Sequence, residues 1–342
     1  MGRVPALHRE LTAELVSSAT WPSIGVVIAT RDRPFQVRRA LASVLAQDYS
    51  GPMRVVVVYD GADPDWDLCR NGKRPVLVFE NWRQPGLAGA RNAGILAAGD
   101  CAWVALCDDD DTWAPDKLTK QMAAASAEPG CAFVTCGAEV EYDGRRTARV
   151  FGRDSITFAE IGHGRGRELA ASGFLARHDA LARMPERGGI GLLAEDCPPE
   201  AAAWDLLLRA ARRNPIVHVD KPLVRVLWRA PRAEPATSLR GLRWLDARHP
   251  ELREDRLHAA RLRAEIACWE AMAGNYRRSW AWIRSTLRAR RAEPMTLLAV
   301  AAAVGVARGR LLHAALSQPH LLRPVLLRKL VRELLPRGRW HP

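Results

Sequence analysis

Short, almost uninterrupted apolar runs alternate with segments of helical periodicity over the first 120 residues, and this alternation constrains the fold more than any other feature. The runs are residues 24–30 (IGVVIAT), 53–59 (MRVVVVY), 75–79 (PVLVF) and 102–107 (AWVALC). Runs so short and rich in β-branched residues read as strands buried on both faces, as in a parallel sheet. Residues 34–47 carry Val37, Leu41, Val44 and Leu45 at helical spacing, with Pro34 at the helix start. A second helix is predicted over 88–98, stopping at Gly99, and a third opens after Trp113 with Pro115 in its first turn. The pattern predicts an α/β fold: a Rossmann-related, mostly parallel central sheet flanked by helices.

Further along, residues 131–136 and 139–142 read as two strands, 144–149 as a turn, 170–176 as a short strand and 178–184 as a helical turn. Residues 161–167 and 186–200 read as loops, the latter punctuated by glycine and proline. Residues 204–212 (WDLLLRAAR) read as a helix, which puts Asp205 in its first turn, facing the positive end of the dipole. Residues 216–220 and 222–228 read as extended pieces, and 229–237 as a linker. Beyond it the signal is helical, over 256–276, 278–290 and 296–308. The apolar stretch 295–307 is 13 residues long, short of the roughly 20 needed to span a bilayer, and reads as a core helix with interfacial insertion as the alternative. Residues 321–335 set a leucine stripe among Arg323, Arg328, Lys329 and Arg332, the pattern of a surface-lying amphipathic helix. Two domains are expected: an α/β domain over 22–228 and a basic helical module over 238–342.

Charge is uneven between these parts. The 342 residues carry a net charge of +13, and residues 240–342 alone hold 21 Lys and Arg against 8 Asp and Glu. The first 239 residues are balanced, with 30 of each. A cationic module of this kind suits an anionic membrane surface, a protein partner or plain solvation. No helix-turn-helix, zinc-finger or RNP signature points to nucleic acid. The 7 cysteines form no CxxC pair, which argues against a zinc site or a disulfide framework and for a reduced, intracellular setting. The first 22 residues lack an apolar core of signal-peptide length, and Ala6 stands where a myristoylation pattern wants Ser or Thr. The expected location is cytoplasmic, with peripheral attachment to the inner membrane face as the option the basic module opens.

Chemistry gathers at the expected strand ends. Asp108, Asp109, Asp110 and Asp111 follow the fourth strand, and four adjacent carboxylates repel unless a counter-charge arrives. A hard divalent cation is the natural one, and alternate carboxylates such as Asp108 and Asp110 can share a side of an extended exit. The other reading is a solvated acidic loop capping the next helix. Asp60 follows the second strand, where it can accept from a base N–H or a ribose hydroxyl, or simply form an Asp-Gly turn with Gly61. After the first strand, Arg31 and Arg33 can approach phosphates and Asp32 can cap the following helix. The chain has no GxGxxG after the first strand and no Walker A lysine, which sets aside dinucleotide oxidoreductases and P-loop ATPases.

The ordered series ATRDRP, VVYDGADPD, GLAGARNAGILAAGD and WVALCDDDDTWAPDKLTKQ resembles the family 2 glycosyltransferases, over about residues 22–228. The resemblance implies a GT-A fold, a nucleotide-sugar donor, an Asp-x-Asp motif with Mn²⁺ or Mg²⁺, and inverting transfer to a hydroxyl on a polysaccharide, glycolipid or small metabolite. It implies that Asp60 holds the nucleobase, with Tyr59 where the family often has another aspartate. Thr30, Arg31 and Asp32 would line the base and ribose, and Arg91 and Asn92 would lie beneath the donor, with Arg91 toward the diphosphate. Asp108 and Asp109 would belong to the nucleotide site, and Asp108 and Asp110 to the metal. The family supplies its base from a Glu-Asp pair just before an aromatic residue and a helix, but here Ala202 and Ala203 precede Trp204. Asp196 is the first substitute and Glu200 the second; the other reading is a weakened or inactive nucleotide-sugar-binding homologue acting as a partner subunit. His163 and His178 sit near the expected acceptor region and are read as surface or packing residues.

Overall fold

The computed structural model describes residues 21–142, 144–164, 166, 169–227, 234–289 and 294–304. The amphipathic stretch at 321–335 and the N-terminal reading at Ala6 lie outside the described residues. Two compact units divide the chain, which passes between them more than once: 1–154, 171–192 and 217–227 form the first, and 155–170, 193–216 and 228–342 the second.

The first unit is built on a mostly parallel sheet. Its strands are β1 (Ile24–Thr30), β2 (Met53–Tyr59), β3 (Val76–Glu80), β4 (Trp103–Asp108), β5 (Thr112–Trp113), β6 (Phe133–Tyr142), β7 (Arg145–Arg149), β8 (Leu175–Arg177) and β9 (Ile216–Leu227). They lie in the order β3-β2-β1-β4-β8-β6-β9-β5, with β7 beside β6. β1 runs parallel to both β2 and β4, and β2 parallel to β3; β8 is antiparallel to β4 and β6.

Three helices cover the sheet: α1 (Pro34–Leu45), α2 (Leu87–Ala97) and α3 (Lys117–Ala127). The pleat sends alternate side chains to opposite faces. Val26, Ile28, Val55 and Val57 join a core with Val37, Ala40, Leu41 and Val44 of α1 and Leu118 and Met122 of α3. Ala29, Val56 and Val58 pack on the other face with Ala90 and Ala93 of α2. Burying each large aliphatic side chain contributes about 1.5–3 kcal/mol, so strands apolar at every position are stable only when covered on both sides. The α2 helix lies so close to β1 that a Cβ on Gly94 would stand 2.2 Å from Val27 Cγ1.

Several elements differ from the sequence reading. Residues 133–142 form one strand, not two, because Gly137 lets its neighbours close in: a Cβ there would meet Arg149 O at 2.7 Å and Lys221 O at 2.8 Å. Residues 216–227 likewise form one strand, irregular around Pro222. The expected strand at 170–176 is a 3-10 turn, Ala171–Gly173, followed by β8. Asp32 does not cap α1, whose N-cap is Arg33 without a side-chain hydrogen bond.

The second unit is mainly helical, with α4 (Pro199–Ala211), α5 (Pro235–Arg248), α6 (Arg256–Met272), α7 (Tyr276–Ala289) and α8 (Pro294–Ala303). Helix α7 packs on α6, and α8 on both. Among the described residues no helix is long and apolar enough to cross a membrane. Because α4 starts at Pro199 rather than Trp204, Asp205 sits in the second turn, not at the dipole end. Asp205 is fully buried and accepts from Arg209 Nη2 at 2.8 Å and His249 Nε2 at 2.9 Å. Arg212 Nη2 lies 3.0 Å from His249 Nδ1, which fixes the Nε2–H tautomer of that imidazole. Burial alone would raise the Asp205 carboxyl, but the His249 hydrogen bond and the Arg209 charge hold it below the usual carboxylate value.

Two predictions follow from this packing. Gly94→Val should destabilise the first unit by about 1–3 kcal/mol, read from urea denaturation, because its side chain would overlap Val27. A carboxyl held below its unfolded value adds stability that is complete above that value, 3.8, and is lost as pH falls through the folded one. Asp205→Asn should therefore cost about 3–5 kcal/mol at pH 7, and the gap from the parent protein should narrow below about pH 4. A constant gap across that range would contradict the assignment.

Candidate active site

Strand register brings the carboxylates together. In the parallel β1–β4 pair Ala29 lies opposite Asp108, and in β1–β2 Thr30 lies opposite Tyr59. The next residues, Asp109 and Asp60, therefore leave the sheet on either side of Thr30. Thr30 Oγ1 donates to Asp109 Oδ2 at 2.7 Å, and Asp60 N donates to Thr30 O at 2.9 Å. Open α/β sheets bind ligands beyond the carboxyl ends of their strands, which is where these groups lie.

Each member of the acidic run has a partner, and Arg33 and Ser172 each serve two of them. Asp108 pairs with the guanidinium of Arg91, which α2 holds buried beneath it. Arg33 Nη1 reaches Asp109 Oδ1 at 2.9 Å and Asp110 Oδ2 at 3.2 Å, so it bridges two carboxylates. Arg39 Nη2 donates to Asp110 O at 2.8 Å. Asp111 turns inward and accepts from Ser172 Oγ at 2.5 Å, while the same oxygen accepts from Asp108 N at 2.8 Å. Burial, and then the Asp108 and Asp110 charges, push the Asp111 carboxyl up to about 8. Asp110 is also raised, by burial and then by Asp109, with Arg33 opposing.

A buried polar chain supports Ser172. Lys117, with no exposed surface, donates to Gln121 Oε1 at 2.8 Å and sits 3.8 Å from the Trp113 ring centroid. Gln121 Nε2 donates to Gly173 O at 2.7 Å, which fixes the turn carrying Ser172. Burial brings the Lys117 ammonium down to about 8.

Asp60 is buried at the end of β2, and its Oδ1 accepts from Asn81 Nδ2 and Gly86 N, each at 2.9 Å. Arg31 Nε donates to Asp60 O at 2.7 Å. Asp32 is the one non-glycine with positive φ among the described residues, at 51°. Aspartate tolerates that left-handed conformation better than most residues, and such strain clusters at ligand sites. Asn92 is buried in α2.

The structure thus gathers Thr30, Arg31, Asp32, Asp60, Arg91, Asn92 and Asp108–Asp111 in the first unit. Asp196 and Glu200 belong to the second. Both are exposed there, with Asp196 Oδ2 3.3 Å from Trp244 Nε1. His163, also of that unit, bonds Asp255 Oδ2 at 2.6 Å through Nε2, a packing role. Sequence reasoning missed Ser172 and Asn81, and missed that Arg33 is occupied by carboxylates. The donor set in the acidic run is all oxygen, which suits a hard divalent cation. Among the described residues, however, no three His, Cys, Asp or Glu side chains converge as a ready-made ligand cluster.

Ser172→Ala would leave the Asp108 amide and the Asp111 carboxyl without their shared partner. The expected cost is about 1–3 kcal/mol in urea denaturation.

Residues 25–171 match the family described as glycosyl transferase family 2. The succinoglycan biosynthesis protein ExoO of Rhizobium meliloti is 31% identical over 159 residues, 45% of this chain and 42% of that protein. The uncharacterized glycosyltransferase YwdF of Bacillus subtilis is 30% identical over 122 residues, 34% of this chain and 42% of that one. The chain thus spans less than half the length of the curated relatives it matches. In fold, it is similar to S. aureus TarS 1-349, with a TM-score of 0.53 at 15% identity, covering 94% of this chain and 93% of that one. It is also similar to the mannosyltransferase PcManGT from Pyrobaculum calidifontis in complex with GDP-Man and Mn²⁺, with a TM-score of 0.51 at 17% identity, covering 97% and 95%.

Proposed function

We propose that the chain, whose residues 25–171 match glycosyl transferase family 2, is a member of that family and moves a sugar from a nucleotide-sugar donor to a hydroxyl-bearing acceptor with inversion. One observation carries this reading: β1, β2 and β4 end in register, so Thr30, Asp60 and the acidic run share one edge. Asp60 faces the nucleobase, and Thr30, Arg31 and Asp32 line the base and ribose. Arg91 and Asn92 support the diphosphate side, and Asp109, held by Thr30 and Arg33, fixes the run in place.

Mn²⁺ or Mg²⁺ would be held by Asp108 and Asp110 and, when bound, supplies positive charge against the leaving diphosphate. The all-oxygen donor set of the run supports that assignment. In the transfer, the acceptor oxygen attacks the anomeric carbon, the bond from that carbon to the phosphate oxygen breaks, and the nucleoside diphosphate leaves with the electron pair. A carboxylate takes the acceptor proton. We assign that role to Asp196, with Glu200 as second choice. The acceptor is a polysaccharide, a glycolipid or a small metabolite; the biosynthetic role in ExoO's name favours the first. The basic residues after Arg240 support a cytoplasmic enzyme that meets an anionic membrane face or an acidic protein partner.

Ala202 and Ala203, before Trp204, favour a second reading: a donor-binding homologue without turnover. A panel of nucleotide sugars with Mn²⁺ or Mg²⁺, read by released nucleoside diphosphate, separates the two. Turnover should appear with one donor, fall about 10²–10⁴-fold in kcat in Asp196→Asn, and vanish in Asp110→Asn. Tight nucleotide binding without turnover would establish the second reading. Absence of both binding and turnover would remove each.

A further inference from the structure

The fold admits more than one nucleobase: S. aureus TarS 1-349 is known in complex with UDP-GlcNAc, at a TM-score of 0.53, and PcManGT with GDP-Man. Resting on the donor-site reading above, we infer that this chain selects a uracil-type base, uridine or thymidine, over guanosine, and that Asn81 sets the selection by closing one oxygen of Asp60.

A carboxylate oxygen has room for about two hydrogen bonds. Asp60 Oδ1 already accepts two, from Asn81 Nδ2 and from Gly86 N, each at 2.9 Å. Asn81 is itself fully committed. Its Nδ2 also donates to Gln84 O at 3.1 Å, its Oδ1 accepts from Arg83 N at 2.9 Å, and its backbone N donates to Tyr59 O at 2.8 Å. A flipped amide would set its carbonyl against the Asp60 carboxylate, so the partners fix its orientation. The 81–86 loop is therefore wrapped around the Oδ1 side.

That leaves Asp60 Oδ2 as the acceptor on offer. One donor group stands on the neighbouring backbone: Arg31 Nε is spent on Asp60 O, and its Nη2 lies where a Cβ on Gly61 would be 2.7 Å away. The guanidinium thus lies along the Asp60–Gly61 backbone with its terminal amino groups beyond. The edge offers one acceptor with the Arg31 guanidinium on the neighbouring backbone as a donor. Uracil and thymine present the complement, a single acidic N3–H between two carbonyls. Guanine presents two adjacent donors, N1–H and the 2-amino group, which a carboxylate meets well only with both oxygens free. Cytosine and adenine present no ring N–H on this edge. A site that leaves a buried donor unpaired rejects that ligand strongly.

The test is calorimetry on the full chain with UDP, TDP, GDP, CDP and ADP in Mn²⁺. UDP and TDP should bind at least about 10-fold more tightly than GDP, and more tightly than CDP or ADP. In Asn81→Ala, with folding checked by thermal denaturation, Oδ1 opens and the UDP-to-GDP ratio should shrink to within about 3-fold. GDP, CDP or ADP binding as tightly as UDP to the parent protein would overturn the base assignment while leaving the donor site intact. A variant that folds and weakens UDP and GDP equally would show that Asn81 is merely structural. Should Asn81→Ala fail to fold, the parent-protein panel still decides the base. Failure of every nucleotide to bind would remove the donor site and this inference together.

Discussion

Carboxylates in contact repel, and the run Asp108–Asp111 persists because the fold gives every member a partner. Two unit charges about 4 Å apart near a protein surface interact by roughly 4 kcal/mol, so an uncompensated run would cost much of a domain's stability. Here Arg91 takes Asp108, Arg33 and Thr30 take Asp109, Arg33 reaches on to Asp110, and Ser172 takes Asp111. Burial and the neighbouring charges also raise Asp110 and Asp111 above the usual carboxylate range, so proton uptake relieves part of the repulsion that remains. The arrangement rests on β1 being in register with β4, which sets Thr30 beside Asp109.

The same rule holds in the second unit. Asp205 is buried in a helix interior, where an unpaired carboxylate would be strongly destabilising, and it is held by Arg209 and His249. Glu270, fully buried in α6, meets Arg243 and accepts from Asn275 Nδ2 at 2.9 Å. Buried acids in both units are thus matched with cations, hydroxyls or amide N–H groups.

Much of this was legible in the sequence because it depends on local signals. Apolar runs with β-branched residues located β1 to β4, and strand ends in a parallel sheet necessarily cluster, so Thr30, Asp60 and the acidic run could be grouped before any coordinates. What was not legible depends on residues distant in the chain. Ser172 reaches Asp108 and Asp111 from more than 60 residues away, out of a turn with no periodicity. Asn81 looks like an ordinary loop residue until its amide is seen on Asp60. Residues 131–136 and 139–142 read as two strands, yet the tight approach of two backbones at Gly137 keeps one strand whole. Residues 199–203 carry proline and alanine without an apolar stripe, so the helix holding Asp205 was read as starting at Trp204, five residues late.

Lys117 carries one more consequence. Its ammonium has no exposed surface, bonds Gln121 and lies over the Trp113 ring. An amine so enclosed is out of reach of acylating reagents while the first unit stays closed. Its modification would accordingly time the opening of the turn behind the acidic run, making it a built-in chemical clock for the motion of that region.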